Sequence, residues 1–277
     1  MPELPEVESV VRSLAPHLLG ARFLHVTLLR EESLQQGSLP LSELCGRRIL
    51  SLSRRGKLIL IGLETITRPS TLVVHLRMTG ALLCHPSATP LSPHTRCCFS
   101  LSSQHKPLAL FFDDIRCFGK LFLATESMLR SWKYFAELGP EPLETRLALF
   151  EDRLSQRKSA TIKAALLDQK VLAGLGNIYA DESLFHAHIL PTRPVESLSH
   201  EEIKLLLASI KHILKKAIKG CGTSFRNYRD ANGHAGAFQN ELAVYGRAGL
   251  PCLHCHTRLK KTRVCGRGTV FCPRCQH

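Results

Sequence analysis

The sequence predicts an α+β protein of several domains: a β-rich N-terminal domain of sandwich type, a helical domain and a metal-binding C-terminus. Three observations support this fold class. Short apolar segments separated by turn residues dominate residues 20–125, helical periodicity begins near residue 146, and two Cys-x2-Cys pairs lie near the end of the chain. The 277 residues suffice for such cores. We therefore predict domains at 2–140, 146–240 and 241–277.

The N-terminal domain is predicted from strand-like segments. The clearest are short, apolar and bounded by turn residues: Lys57–Leu63, Thr71–Leu76 and Leu108–Phe112. A helix is predicted before them, from Val7 to Leu19, because valines and leucines recur there on one helical face. Pro142 and the polar residues after it predict a linker to the next domain.

The helical domain contains one helix with clear ends, from Glu201 to Lys219. Its apolar residues recur at helical spacing and its lysines lie off that stripe. This favours a core helix with a solvated basic face over a membrane-surface helix. Ser199 and Glu202 have the spacing of a capping box, and Gly220 follows as a stop. Residues 220–240 are rich in glycine, asparagine and alanine, which predicts a mobile loop.

The charge of the chain favours a polyanionic partner. There are 37 Lys plus Arg against 23 Asp plus Glu, a formal net charge of +14. Nucleic acid is the first expectation and an anionic membrane the second, while charge alone also fits a merely soluble basic protein. No acidic residue follows Glu241, and the last 26 residues carry six basic ones: Arg258, Lys260, Lys261, Arg263, Arg267 and Arg274.

The location expected from the sequence is the cytoplasm. No apolar run approaches the ~20 residues that cross a bilayer, and the acidic start MPELPEVESV lacks the apolar core of a signal peptide. Eleven cysteines are compatible with secretion, but four of them have metal-ligand spacing. We therefore expect a reducing compartment. A monomer is the default expectation for the oligomeric state.

The four C-terminal cysteines predict a zinc site. Cys252 and Cys255 form one pair, Cys272 and Cys275 the other, and sixteen residues separate the pairs. This spacing is typical of a tetrahedral zinc ion held by four thiolates, with a β-hairpin between the pairs. Two disulfides are the alternative, and iron is another possible metal. Since four protein ligands leave no open position, one structural zinc ion is expected.

The N-terminus offers a nucleophile. Processing normally removes Met before a small residue, which would leave Pro2 with a free secondary amine. An α-amino group titrates near ~8 against ~10.4 for lysine, so more of it is neutral at pH 7. Such an amine can attack C1′ of a sugar, and Glu3 and Glu6 are close enough in sequence to shuttle protons. An ordinary acidic helix start with Pro at N1 explains the same residues equally well.

Four motifs in this order give the sequence a family resemblance. They are MPELPEVE at 1–8, RRGK at 54–57, GLGNIYADE at 174–182 and RGTVFCPRCQ at 267–276. Together they resemble formamidopyrimidine-DNA glycosylase, a bacterial-type enzyme for oxidised purines, over essentially the whole chain. Leu4 and Val7 are similar to this branch rather than to the related endonuclease VIII branch.

The resemblance implies a fold and a reaction. The fold would be a catalytic β-sandwich domain, a helix–two-turn–helix domain and a zinc finger, with DNA in the cleft between the two main parts. The reaction would be excision of 8-oxoguanine or formamidopyrimidines from double-stranded DNA, followed by β- and δ-elimination at the abasic sugar. It also implies a cytoplasmic, nucleoid-associated protein whose substrate is DNA with an oxidised base or an abasic site.

The resemblance also assigns roles to residues. It implies that Pro2 is the nucleophile, Glu3 its proton shuttle and Lys57 a lysine that assists elimination. Arg267 would grip phosphates from the zinc finger. Further phosphate contacts would come from Asn177, His94 and Lys158, and a void-filling trio that replaces the extruded base would comprise Met78, Arg116 and Phe118. The loop at Gly222, Thr223 and Ser224 would close over the flipped base.

Two departures from the family pattern lie beside Arg116. Ile115 stands where the family has proline, which puts opposite-base selectivity in doubt, and Cys117 stands where it has a second arginine. We expect Cys117 to cost one phosphate contact. The competing functions are a catalytically silent DNA-binding protein, a zinc-finger protein of RNA or ribosomes, and an endonuclease VIII-like preference for oxidised pyrimidines.

Overall fold

The protein consists of two compact units in its computed structural model, which describes residues 1–66, 68–102, 107–224 and 228–277. The first unit contains Met1–Ala136 and Cys221–Ala237. The second contains Glu137–Gly220 and Phe238–His277. Within the described ranges, every helix falls short of the length and hydropathy that a bilayer crossing requires.

The first unit is built on two four-stranded antiparallel sheets. One has the strand order β1-β6-β7-β5 and the other β2-β3-β4-β8. The strands are β1 Arg22–Leu28, β2 Ile49–Arg55, β3 Leu58–Leu63, β4 Ser70–His75, β5 Gly80–Pro86, β6 Thr95–Ser102, β7 Pro107–Asp114 and β8 Lys120–Thr125. Three short segments predicted as strands correspond to β3, β4 and β7.

One hydrophobic core joins both sheets to the first helix, which confirms the predicted sandwich. Phe23 and Phe99 from one sheet and Ile59 and Leu121 from the other belong to it, as does Val10 of α1. The helix α1 spans Leu4–Leu18 and is followed, after β8, by α2 at Glu126–Ser131 and α3 at Lys133–Ala136. The start of α1 lies before the predicted Val7 because Glu3 and Glu6 form a capping box.

The segment Cys221–Ala237 packs with the first unit, although the sequence-based boundaries place it in the helical domain at 146–240. Ala231 is buried in the sandwich core. Its N–H donates to Ser13 Oγ at 3.0 Å, and its carbonyl accepts the Cys84 N–H at 3.0 Å. These long-range contacts, rather than any local pattern, attach the segment to α1 and β5. The predicted mobility of 220–240 stays a prediction, and its residues 225–227 lie outside the described ranges.

The second unit contains four longer helices. They are α4 Leu147–Ser155, α5 Ile162–Leu167, α6 Asn177–His186 and α7 His200–Lys219. Two turns, at residues 169–171 and 173–174, join α5 to α6. This arrangement confirms the helix–two-turn–helix motif. The predicted capping box of α7 is present, because Ser199 accepts the Glu202 N–H and Glu202 accepts the Ser199 N–H.

A β-hairpin completes the second unit. Its strands are β9 Lys260–Val264 and β10 Arg267–Phe271, paired antiparallel. Leu259 and Val270 of this region pack with Phe185 of α6 and with two of the four C-terminal cysteines, Cys252 and Cys272. The hairpin predicted between the cysteine pairs is therefore formed, and it has a small core of its own.

Candidate functional site

The candidate nucleophile, Pro2, lies directly before α1 and is buried. Glu3 is the N-cap residue of the helix and is 3% exposed. Its N–H donates to Glu6 Oε2 at 2.7 Å, which closes the capping box. The backbone directly after Pro2 is therefore held by the capping box of α1, and Pro2 itself is buried next to Glu3 in the chain.

Glu6 also binds the loop at 222–224, which the family resemblance assigned to the flipped base. Its Oε1 accepts the Thr223 N–H at 2.8 Å. Gly222 has a φ of +80°, and a Cβ there would lie 2.8 Å from the same oxygen, so the position requires glycine. Tyr228 OH donates to the Glu6 carbonyl at 3.1 Å. The structure thus brings the predicted loop and the N-terminal segment together.

Lys57 lies in the turn between β2 and β3 and is 5% exposed. Gly56 forms this turn with a φ of +56°. Arg54, at the end of β2, donates to Glu8 Oε2 of α1 at 3.0 Å. The RRGK motif is therefore the tip of a hairpin that is held to the helix carrying the N-terminal residues.

His75 is a buried neighbour of Lys57 that the sequence did not single out. It pairs with Leu58 in the sheet, and its Nδ1 accepts the Arg77 N–H at 3.0 Å. Burial, together with the charges of Arg77 and Lys57, lowers the pKa of His75 to about 3. The imidazole is therefore neutral at pH 7.

The three side chains predicted to fill a void lie together on two adjacent loops. Met78 and Phe118 are 41% and 49% exposed, unusual values for apolar side chains of this size. The Arg116 guanidinium lies 4.7 Å from the Phe118 ring centroid, and its Nη1 is 3.3 Å from Met78 Sδ. Met78 and Phe118 are therefore surface side chains rather than core residues.

The predicted phosphate contacts differ in how they are placed. Asn177 is the first residue of α6, and its Nδ2 donates to the Gly268 carbonyl at 2.9 Å, next to the exposed Arg267. Asn177 and Arg267 are thus neighbours in the second unit. Lys158 is exposed between α4 and α5, and His94 is exposed before β6 in the first unit.

Two further residues hold the hairpin that carries Arg267, and a third holds the segment that precedes it. Lys163 and Asp181 are fully buried and form an ion pair at 2.6 Å. Lys163 Nζ also donates to Thr269 Oγ1 at 2.8 Å, and Asp181 Oδ2 accepts the Val270 N–H at 3.1 Å. Burial raises the pKa of Asp181 to about 6, against the lowering effect of Lys163. A second buried carboxylate, Glu182, accepts three backbone N–H groups, those of Ala243, Val244 and Tyr245.

The sequence analysis did not identify Lys163, Asp181 and Glu182. It interpreted the motif at 174–182 only through Asn177, as a phosphate contact. Asp181 and Glu182 are acidic residues within a largely apolar helix, the sequence signal that could have identified them. The contacts of the three residues join α5 and α6 to residues 243–245 and to strand β10, and so hold the C-terminal module, residues 243–277, to these helices. The positions of Asn177 and Arg267 depend on this attachment.

The four C-terminal cysteines form one metal site. Their sulfur atoms all lie within 4.8 Å of one another. Cys252 Sγ and Cys275 Sγ are 3.9 Å apart, and Cys255 Sγ and Cys272 Sγ are 3.4 Å apart. A disulfide requires about 2.05 Å, whereas Zn–S bonds of about 2.3 Å place tetrahedral sulfurs about 3.8 Å apart. The cluster fits one structural zinc ion, which would fix the hairpin that carries Arg267.

The comparisons with known proteins cover the whole chain. The formamidopyrimidine-DNA glycosylase N-terminal domain matches residues 1–121, the H2TH domain of the same family matches 138–228, and the zinc finger found in FPG and IleRS matches 249–277. A formamidopyrimidine-DNA glycosylase of Desulfitobacterium hafniense is 45% identical over an alignment of 282 positions that covers 100% of both chains. One from Nitratidesulfovibrio vulgaris is 51% identical over 205 residues, which are 74% of this chain and 55% of that protein.

A solved structure agrees with these matches. A Lactococcus lactis FPG mutant in complex with Fapy-dG containing DNA is 36% identical, with a TM-score of 0.90 and coverage of 100% of both chains.

Replacing one zinc ligand should release the metal. In Cys255→Ser, we expect zinc per chain to fall from about one to well below one, and DNA binding to weaken. Structural zinc contributes on the order of 10 kcal/mol to the folding of such modules. Metal analysis and binding to a short duplex measure both effects. Cys265→Ser is the matched control, because this exposed cysteine lies in the same hairpin outside the cluster. Equal zinc in both variants would contradict the assignment.

The buried His75 should make stability depend on pH. Its folded-state pKa of about 3 lies below the ordinary 6.5, so the unfolded state binds more protons between these values. Its stabilising contribution is complete above pH 6.5 and is lost as the pH falls toward 3. Between pH 7 and 5, the free energy of unfolding should fall by about 1 to 2 kcal/mol less in His75→Gln than in the wild type. Denaturant titrations measure this, with the exposed His25→Gln as control; identical pH profiles for the wild type and His75→Gln would refute it.

Proposed function

The chain belongs to the formamidopyrimidine-DNA glycosylase family, and we propose that it is a bifunctional glycosylase and lyase for oxidised purines in double-stranded DNA. The observation that carries this proposal is the N-terminal arrangement: Pro2 is buried and immediately precedes Glu3, the N-cap of a helix whose start Glu3 and Glu6 close with a capping box. A structure of an FPG mutant bound to Fapy-dG containing DNA supports the substrate class.

The first chemical step uses the Pro2 nitrogen after removal of Met1. Its lone pair attacks C1′ of the damaged nucleotide, the C1′–N glycosidic bond breaks, and the base leaves with that electron pair and a proton. The product is an iminium between Pro2 and the sugar, whose ring oxygen takes up a proton as the ring opens. Glu3, buried and next to Pro2 in the chain, is the proposed proton shuttle.

The later steps break the DNA strand. Loss of a proton from C2′ expels the 3′ phosphate by β-elimination, and a second elimination expels the 5′ phosphate. Lys57 lies at the hairpin tip held to α1, and we assign it to the assistance of these eliminations. Hydrolysis then releases the sugar fragment from Pro2.

The remaining predicted residues are assigned to DNA binding. Arg267 and Asn177, which are neighbours in the second unit, are suited to bind adjacent phosphates, and His94 and Lys158 are proposed as further contacts. Met78, Arg116 and Phe118 have the exposure and mutual contacts that a wedge in a DNA stack requires. The loop at Gly222, Thr223 and Ser224, held by Glu6, is proposed to close over the flipped base.

The proposal is tested by borohydride trapping on a duplex with 8-oxoguanine opposite cytosine. We expect a covalent protein–DNA adduct with the wild type. The yield of adduct should be at least roughly tenfold lower with Pro2→Gly, since removal of a nucleophile is among the most costly active-site changes. An N-terminally extended chain, in which the amine is blocked, serves as the matched control and should give no adduct.

Three results would lead to other conclusions. Absence of an adduct on both 8-oxoguanine and abasic duplexes, with Met1 removed and zinc bound, would leave a catalytically silent DNA-binding protein. An adduct that is confined to duplexes with oxidised pyrimidines would indicate an endonuclease VIII-like preference. Preferential binding of RNA, with no adduct, would favour the zinc-finger RNA-associated alternative.

The departure at Cys117 gives a second prediction. This residue is exposed and has a φ of +56°, so a longer side chain there meets solvent or DNA. Cys117→Arg should bind duplex DNA more tightly and steepen the slope of log K against log salt by about 0.9, the effect of one added phosphate contact. Titrations at several salt concentrations measure the slope. Cys117→Ser is the control, and a slope for the arginine variant equal to that of the control would show that position 117 meets no phosphate.

A further inference from the structure

A single carboxylate joins the two loops that carry the exposed trio. Asp114 ends β7 and is 1% exposed. Its Oδ1 accepts the Thr79 hydroxyl proton and the Arg116 N–H, the latter at 3.2 Å. Its Oδ2 accepts the Gly119 N–H at 2.6 Å. One side chain therefore closes the loop at 115–119 and binds it to the residue after Met78.

Thr79 completes the link. Its hydroxyl donates to Asp114 and, with its lone pair, accepts the Arg116 N–H at 3.1 Å. The next residue, Gly80, pairs with Asp114 in the sheet, so the two strands deliver these groups to the same place. The Arg116 N–H is thus shared between Thr79 Oγ1 and Asp114 Oδ1, which fixes the backbone at the base of the arginine side chain.

The backbone of both loops has conformations that need such support. Arg77 and Cys117 have φ angles of +52° and +56°, in the left-handed region that L side chains disfavour. A Cβ on Gly119 would lie 2.5 Å from Phe112 Cζ and 3.0 Å from Asp114 Oδ2. The loop therefore fits closely around the carboxylate, and its conformation is maintained by these hydrogen bonds rather than by local preference.

We propose that Asp114, through Thr79, is a positioning residue that fixes Met78, Arg116 and Phe118 and thereby sets the preference for the base opposite the lesion. This inference rests on the proposed function, since it concerns DNA with an extruded base. Long exposed side chains normally sample many rotamers. Here the Arg116 guanidinium lies against the Phe118 ring and Met78 Sδ, and these contacts restrict its rotamers.

A fixed guanidinium distinguishes the bases by hydrogen-bond chemistry. Arginine carries donors and no acceptor. The pairing edge of cytosine offers adjacent acceptors at O2 and N3, whereas adenine places its N6 donor beside its N1 acceptor. A guanidinium held in one place favours cytosine, and one released from its loop loses part of this discrimination. Asp114 therefore affects the base opposite the lesion only indirectly, by fixing the position of Arg116.

The experiment compares excision and binding opposite cytosine and opposite adenine. Single-turnover excision is measured for the wild type, Thr79→Val, Thr79→Ser and Asp114→Asn on 8-oxoguanine duplexes. Binding is measured on duplexes with a tetrahydrofuran abasic analogue. We expect the cytosine-to-adenine ratio to fall roughly three- to tenfold in Thr79→Val and Asp114→Asn, the size of one or two lost hydrogen bonds. Thr79→Ser keeps the hydroxyl and should keep the ratio.

Asp113→Asn is the matched control for charge. It removes a carboxylate from the adjacent position of β7, whose Oδ2 accepts the Ser92 hydroxyl proton at 2.9 Å instead of binding the 115–119 loop. Its ratio should equal that of the wild type. Thermal unfolding of each variant distinguishes a shift of the Met78, Arg116 and Phe118 side chains from a loss of the fold. If Asp114→Asn does not fold, the test depends on Thr79→Val.

The outcomes separate this inference from the proposed function. Failure of the wild type to excise or to be trapped overturns the proposed function, and the binding ratios then still test Asp114. The inference is overturned by an unchanged ratio in folded Thr79→Val, by an equal fall in Asp113→Asn, or by a wild type without preference for cytosine.

Discussion

Buried carboxylates that accept hydrogen bonds from backbone N–H groups hold the loops of this protein. Glu6, Asp114, Asp181 and Glu182 are each no more than 2% exposed. Burying a charged carboxylate is costly unless hydrogen bonds replace its water, and each of these accepts one or more backbone N–H groups, from loops or, for Asp181, from strand β10. These hydrogen bonds satisfy both the carboxylate and the backbone N–H groups, and they favour one conformation of the bound segment.

The consequence is the same in both units: candidate functional side chains project from loops whose backbones are already fixed. In the first unit, Glu6 holds the residue after Pro2 and the loop at 222–224, and Asp114 holds the loop with Arg116. In the second, Asp181 and Glu182 hold the module that carries Arg267. Fixing these groups before substrate binds reduces the entropy lost on binding, and charged groups held in place stabilise developing charge without reorganisation.

Much of the fold could be predicted from local patterns. The apolar segments, the Ser199 capping box and the cysteine spacing each depend on residues close in sequence, and each was confirmed. The attachment of Cys221–Ala237 to the first unit could not be predicted, because it depends on contacts between residues some 217 positions apart, such as Thr223 with Glu6. The same limit hid Asp181, whose partner Val270 is 89 positions away, and the link of Asp114 to Thr79, 35 positions away. Family motifs identified candidate residues, while the carboxylates that place them became evident only in three dimensions.

The central claim is that the Pro2 nitrogen forms the covalent bond to the damaged sugar. Its most direct test is tandem mass spectrometry of tryptic peptides from the wild-type adduct, reduced with borohydride on a duplex containing formamidopyrimidine. We expect the sugar remnant on the nitrogen of Pro2 in the N-terminal peptide PELPEVESVVR, residues 2–12. A remnant on the Nζ of Lys57, or on any other lysine, would contradict the account.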